Sequence, residues 1–177
     1  KLVLDNLFTT DRFYLRPLVE SDATNKYLSW LNNNKITFFL NSHYKKNSIE
    51  SIVNYINKHN SIDSFHIGIF TKDSDIHIGN YSIYLDLYHL VASTNVMIGD
   101  TNFWEKKVVL ETRAKIIDIL FCEYNMHKII GTPFATNYAA IYNYLAQGFV
   151  KEGVLKGHKI SPSGERVDIV QFALFRK

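Results

Sequence analysis

Residues 95–112 read NVMIGDTNFWEKKVVLET, and this run decides how the chain folds. Val96, Met97 and Ile98 form a short apolar strand, Gly99-Asp100 a turn, and residues 101–107 a polar loop. From about Val108 to Tyr124 a long helix follows, with Val109, Ile116, Leu120 and Phe121 as core positions. A strand that feeds a helix through a loop leaves the first-turn N–H groups without intrahelical acceptors. Those groups and the helix dipole make an anion site. The rest of the chain has to say which anion.

Downstream, Lys128 to Ala135 reads as a strand interrupted by Pro133. Asn137 caps a short helix, Tyr138 to Gln147, and Gly148 stops it. Phe149 to His158 and Arg166 to Phe175 form a final hairpin across Ser161-Pro-Ser-Gly164, its last strand apolar enough to be buried. Upstream, Arg12 to Arg16 alternates and stops at Pro17, as a first strand. Ser21-Asp22 is the expected cap of a helix to about Asn32, and Asn47 with Glu50 the expected capping box of a second. Ser64 to Thr71 and Ile76 to about Leu87 are two further strands, the second changing phase at Gly79-Asn80, which predicts a bulge there. The order predicts a single α/β domain over residues 1–177. Its mixed sheet is mostly antiparallel, and the strands at Val96 and Lys128 are a parallel pair joined by a crossover.

Composition narrows the function. The chain has 177 residues with 46% apolar residues, 12 Phe and 11 Tyr, enough for a full core. Its net charge of +3 comes from 20 basic and 17 acidic residues that are scattered, which argues against a nucleic-acid surface. One cysteine, Cys122, excludes an internal disulfide and a cysteine metal cluster, and is expected to be a buried, inert thiol. Seven histidines show no close pair with a carboxylate, so no metal is expected. No apolar run approaches the length of a membrane span. A cytoplasmic protein is expected.

Four segments in order resemble the GNAT acetyltransferase superfamily. These are Arg12-Phe-Tyr-Leu-Arg16-Pro17-Leu18; Ser21-Asp22-Ala23; Asn137, Tyr144, Gly148-Phe149 and Glu152-Gly153; and Arg166-Val-Asp168, while Trp104, Lys106, Val108 and Glu111-Thr112 resemble part of the branch's loop. The similarity is greatest to the branch of ribosomal-protein N-terminal and amino-sugar acetyltransferases, and it spans nearly the whole chain. It implies a GNAT-like fold with a splayed parallel strand pair, helices on both faces, and acetyl-CoA as cosubstrate. By position it implies that Met97 and Ile98 pair with the pantetheine arm, that Trp104, Lys106, Lys107, Val108 and Val109 form the pyrophosphate loop, and that Asn137 bonds the arm. Lys107 and Val109 stand where the family's loop pattern has glycines, and two side chains there are expected to crowd the loop.

Acetyl transfer to an amine needs a neutral amine, a stabilised oxyanion and a proton for the departing thiolate. The resemblance gives the last task to Tyr144; Tyr142 is its neighbour on a different helix face. The base is open. Ser93 takes the place where relatives carry a glutamate, and His66, Asp86, His89 and Asp100 are candidates near the cleft in sequence. Trp30 is a candidate lining of the acceptor pocket, with burial in the core as its other reading. The implied function is N-acetylation of a small amine or amino sugar. A protein N-terminus is the other acceptor class, and a binding domain without catalysis the other kind of function. The final hairpin is a candidate homodimer surface.

Overall fold

In a computed structural model, described here for residues 3–177, the strands form one eight-stranded sheet in the order β1-β2-β3-β4-β5-β6-β8-β7. The strands are β1 (Phe8–Thr9), β2 (Phe13–Pro17), β3 (Ser64–Thr71), β4 (His77–Asp86), β5 (Val91–Ile98), β6 (Lys128–Gly131), β7 (Val150–Ile160) and β8 (Arg166–Phe175). The helices are α1 (Asn25–Leu31), α2 (Asn34–Thr37), α3 (Ile49–Asn57), α4 (Val108–Cys122) and α5 (Tyr138–Ala146). Each pairing is antiparallel except β5 with β6, as the crossover through α4 requires.

Alternation along β4 and β5 gives the sheet two unlike faces. Tyr81 and Ile83 join Ile67, Ile116 and Leu120 in the main core, and the Tyr81 hydroxyl meets the Thr112 hydroxyl of α4 at 2.8 Å. On the opposite face Ser82 meets the Tyr55 hydroxyl of α3 at 3.0 Å, and Trp30, Tyr27, Ile52, Ile56 and Phe70 form a second, smaller core under α1 and α3. The even positions of β4 and their partners in β5 (Tyr84 with Ser93, Ser82 with Asn95, Asn80 with Met97) therefore share the α1/α3 face.

The local signals are close to those expected, with shifts. Asp22 does not cap the first helix: it accepts from Arg16 at 2.7 and 2.8 Å and from the Val19 N–H, and Thr24 caps α1 instead. Ser48 with Ser51, rather than Asn47 with Glu50, makes the capping box of α3. The extra residue in β4 is Ile78, just before Gly79, where the register steps from Ile69↔Gly79 to Phe70↔His77. β8 is paired on both sides and β7 is the edge. Cys122, on the last turn of α4, is exposed rather than buried. Asn137 caps α5 by accepting from the Ala140 N–H, and Gly148 at φ 83° ends it, as expected.

Candidate functional site

The parallel pairing of β5 and β6 lasts three rungs, Val91↔Lys128, Ala92↔Ile129 and Ser93↔Ile130, and then stops. β6 ends at Gly131; the chain turns through Pro133, and Phe134 forms an isolated bridge to Ile169 of β8. β5 runs on to Ile98 paired only with β4. The two strands thus open a wedge in the sheet beyond Ser93 that connects its two faces. Asn95, the first residue past the fork on the α1/α3 face, is exposed. The expected strand to Ala135 is cut short because Pro133 has no N–H for the ladder.

The free edge of β5 is partly committed. A Cβ added at Gly79 would overlap the Met97 carbonyl, so the Met97 backbone faces β4. By alternation the wedge side is presented by Val96 and Ile98. The Ile98 carbonyl accepts from the Trp104 indole N–H at 2.9 Å. Trp104 thereby folds the loop after β5 back on the strand end.

At the mouth of the wedge lies the start of α4. Glu105 and Lys107 both have φ 59°, in the left-handed region, although neither is glycine. Lys107 is the N-cap residue of α4 and its side chain caps nothing, so the first-turn amides of Val108, Val109 and Leu110 receive no side-chain acceptor from it. Lys107 takes the left-handed conformation that the glycine of the family pattern would favour. Val109 sits inside the first helical turn, and the loop makes its tight path by holding Glu105 and Lys107 in a conformation that favours glycine.

That path is clamped from β1–β2. The Arg12 backbone N–H and the Thr10 hydroxyl each donate to Glu111 Oε1 at 2.8 Å, Arg12 Nε donates to Oε2 at 2.7 Å, and Arg12 Nη2 donates to the Lys106 carbonyl at 2.8 Å. Burial works to raise the Glu111 pKa, but these bonds and the guanidinium charge win and hold it below the usual carboxylate range.

Tyr144 is buried on the other side of the fork. A Cβ on Gly131 would overlap its phenol, so a glycine at the end of β6 is what lets the ring in. The ring stacks on Phe172 at 5.3 Å and meets Phe149 edge-on. The Arg113 guanidinium, 2% exposed, lies 4.1 Å from the ring centroid, donates from Nε to Gln147 Oε1 at 2.7 Å, and leaves one terminal nitrogen without a partner. Gln147 in turn donates to the Leu110 carbonyl at 3.0 Å, tying α5 to α4. Burial raises the Tyr144 pKa and the nearby guanidinium opposes it, so the phenol keeps its proton at neutral pH. Tyr142 is exposed, as its different helix face implies.

The four base candidates are scattered. Asp86 and His89 sit at the closed end of the β4–β5 turn, where Asp86 accepts from the Tyr88 and His89 backbones. Asp100 caps the turn before the loop by accepting from the Asn102 N–H. His66 is buried, fixed between Tyr27 Oη at 2.9 Å and Ser82 Oγ at 3.1 Å. Trp30 is buried in the smaller core against Gly99 and also lines a recess of about 310 Å³ with Lys26, Asn33 and Asp100.

His66 belongs to a polar ladder that the sequence pattern does not single out. Ser82 Oγ meets Tyr55 Oη at 3.0 Å, Tyr55 Oη meets Tyr84 Oη at 3.4 Å, and Tyr84 Oη meets His59 Nε2 at 3.3 Å. The sequence signal was faint: His59 ends a helix, Tyr84 lies 25 residues on, and period-2 spacing of Ser82 and Tyr84 shows a shared face but not the partner. Residues 38–47 then cross toward the far side of the wedge, where Phe39 meets Phe134 edge-on at 6.1 Å and the His43 ring bonds the Ile160 carbonyl at 2.8 Å. Among the described residues no cluster of side chains could hold a metal ion, and no helix is long and apolar enough to cross a membrane.

The family model of an acetyltransferase (GNAT) domain matches residues 12–150. Comparison with curated protein sequences gives no match. Among solved structures, a ribosomal L7/L12 alpha-N-protein acetyltransferase, RimL, in complex with coenzyme A superposes with a TM-score of 0.86 at 15% identity, covering 96% of this chain and 98% of that one. Spermidine N-acetyltransferase from Vibrio cholerae, in complex with CoA and spermine, gives 0.83 at 20% identity over 93% and 95%. The microcin C7 self-immunity acetyltransferase MccE, in complex with acetyl-CoA and AMP, gives 0.83 at 20% identity over 99% and 98%. At these identities the likeness is one of fold.

Proposed function

The chain belongs to the GNAT acetyltransferase family, and we propose that within it the chain transfers the acetyl group of acetyl-CoA to the primary amine of a small molecule or amino sugar. The observation that carries the reading is the wedge beyond Ser93↔Ile130 with an uncapped helix start at its mouth. The residues fit the cosubstrate. A pyrophosphate answers the unpartnered amides of Val108, Val109 and Leu110 and the positive end of α4. Lys106 and Lys107 add charge beside it. The wedge-facing backbone of Ile98 and Val96, after Met97 turns to β4, is the edge for the pantetheine amides. Asn137 keeps its amide N–H₂ for the same arm, because its oxygen is spent on the helix cap. Trp104 holds the loop to the strand.

Bound acetyl-CoA supplies an activated acyl group as a thioester. The chain's residues then have two tasks. Tyr144, protonated and buried at Gly131, donates a proton where the thiolate departs. The α1/α3 face brings the acceptor to the fork, under the segment that ends at Phe39 and His43. Phe39 and His43 tie residues 38–47 to Phe134 and Ile160 on that side, which supports a compact acceptor over a protein N-terminus. Acetyl-CoA should raise the thermal midpoint by linkage, and free thiol should appear when a compact primary amine such as glucosamine is added. No stabilisation by millimolar acetyl-CoA would refute the reading. Turnover confined to peptides with a free N-terminus would move the acceptor to the protein class.

A further inference from the structure

The last parallel rung carries Ser93 rather than a carboxylate, and its partner on β4 is Tyr84. Tyr84 is partly exposed on the face from which an acceptor reaches the wedge. Behind its hydroxyl is His59. The His59 Nδ1–H donates to the Tyr55 carbonyl at 2.7 Å, which fixes the tautomer and leaves the Nε2 lone pair toward Tyr84 Oη. We propose that Tyr84 meets the acceptor ammonium at the fork and that His59 takes up the proton through the Tyr84 hydroxyl. The inference rests on the acetyltransferase reading.

The other imidazole of the ladder cannot do this. Burial above all pushes the His66 pKa down to about 3, so it stays neutral and both its nitrogens are already bonded. His59 is half-buried, with its pKa lowered by desolvation and by the Lys58 ammonium, and partly restored by the Tyr55 carbonyl. The groups that face it are Tyr55 of α3, Lys58 at the end of α3, Tyr84 from β4, and His66 from β3, whose ring stacks at 5.2 Å. None is a carboxylate, so His59 is neutral near pH 7 and free to accept. Burial and Tyr55 raise the Tyr84 pKa, so it passes a proton without resting as a phenolate.

The ammonium gives one proton to Tyr84 Oη as the Tyr84 proton moves to His59 Nε2, and His59 returns it to water. The neutral nitrogen forms its bond to the acyl carbon, and the carbon–sulfur bond breaks. The thiolate takes the Tyr144 proton, and the second proton lost by nitrogen restores the phenol through solvent. The net change is one ammonium and one thioester to one amide, one thiol and one proton.

The test uses the intact chain with acetyl-CoA and three amine probes: glucosamine, n-butylamine and an alanine-initiated peptide. His59→Gln should lower kcat/KM about 100-fold or more at pH 7 and abolish the acidic limb of its pH profile. Tyr84→Phe should do the same, while both variants keep the wild-type thermal shift with acetyl-CoA. Imidazole NMR should show His59 as the Nδ1–H tautomer, titrating below its ordinary range, and Tyr84→Phe should move that titration. Wild-type thiol release with an unchanged profile in both variants would overturn the relay and leave the transferase reading standing. No thiol release by the wild type with any probe and no stabilisation by acetyl-CoA would overturn both.

Discussion

Replacing Lys107 by glycine should stabilise this protein, although it shortens a side chain to nothing at a helix cap. Lys107 has φ 59° and ψ 25°, and its side chain makes no capping bond. A left-handed backbone costs an L-residue about 1–2 kcal/mol that glycine does not incur. Glycine gives back about 0.5–1 kcal/mol through the greater freedom of the unfolded chain. The difference favours Lys107→Gly by about 0.5–1 kcal/mol, roughly 1–4 °C in Tm for a chain of this size. Glu105→Gly, also at φ 59°, should behave alike. Lys106 between them is not left-handed and supplies the carbonyl that Arg12 holds, so Lys106→Gly should lose about 0.5–1 kcal/mol. Scanning calorimetry on the three variants reads the pattern as up, down, up along three consecutive residues. A fall in Tm for Lys107→Gly comparable to that for Lys106→Gly would refute the loop geometry and the account of how this chain dispenses with glycines.

Three further outcomes follow from the site. Glu111→Gln should raise the KM for acetyl-CoA several-fold with little change in kcat, since it loosens the Arg12 clamp on the Lys106 carbonyl without touching the fork; an unchanged KM would detach the clamp from the loop. Tyr144→Phe should lower kcat by 10-fold or more and leave acetyl-CoA affinity nearly intact, and equal turnover would remove Tyr144 from proton donation. Stability should fall on acidification: desolvation keeps His66 neutral in the fold down to about pH 3, whereas the unfolded chain protonates it below about 6.5, so stability is full above 6.5 and about 2 kcal/mol is gone by pH 5. His59 and His77, also depressed by burial, act in the same direction. Urea denaturation of wild type and His66→Gln at pH 7.5 and 5.0 should show a smaller acid loss in the variant.

The sheet was legible because its signals are local. Alternation marked β3 and β4, Asn137 and Gly148 bracketed α5, and the strand–loop–helix run at 95–112 announced the crossover. Helix starts slipped where two good caps are neighbours: Ser48 beside Asn47, and Thr24 two residues after Asp22, whose carboxylate went to Arg16 instead. The path of the loop is not legible in the sequence for a different reason. Lysine and glutamate carry no marker for a left-handed backbone, and that conformation is imposed by contacts from Arg12 and Trp104, 94 positions away and at the strand end. Cys122 looked buried because it closes an apolar helix, but it lies on the outer side of a last turn whose Ile119 and Leu120 fill the core. The ladder through Tyr84 and His59 joins a helix end to a strand by pairing that no single-chain periodicity encodes.

Amide hydrogen exchange with and without acetyl-CoA tests the central claim most directly. The account predicts slowed exchange at Val108, Val109 and Leu110, where the pyrophosphate takes the free amides, and at Val96 and Ile98 along the wedge. Exchange in β1 and in the β7–β8 turn should not change. Binding that leaves residues 108–110 unprotected, or protection placed elsewhere on the sheet, would contradict it.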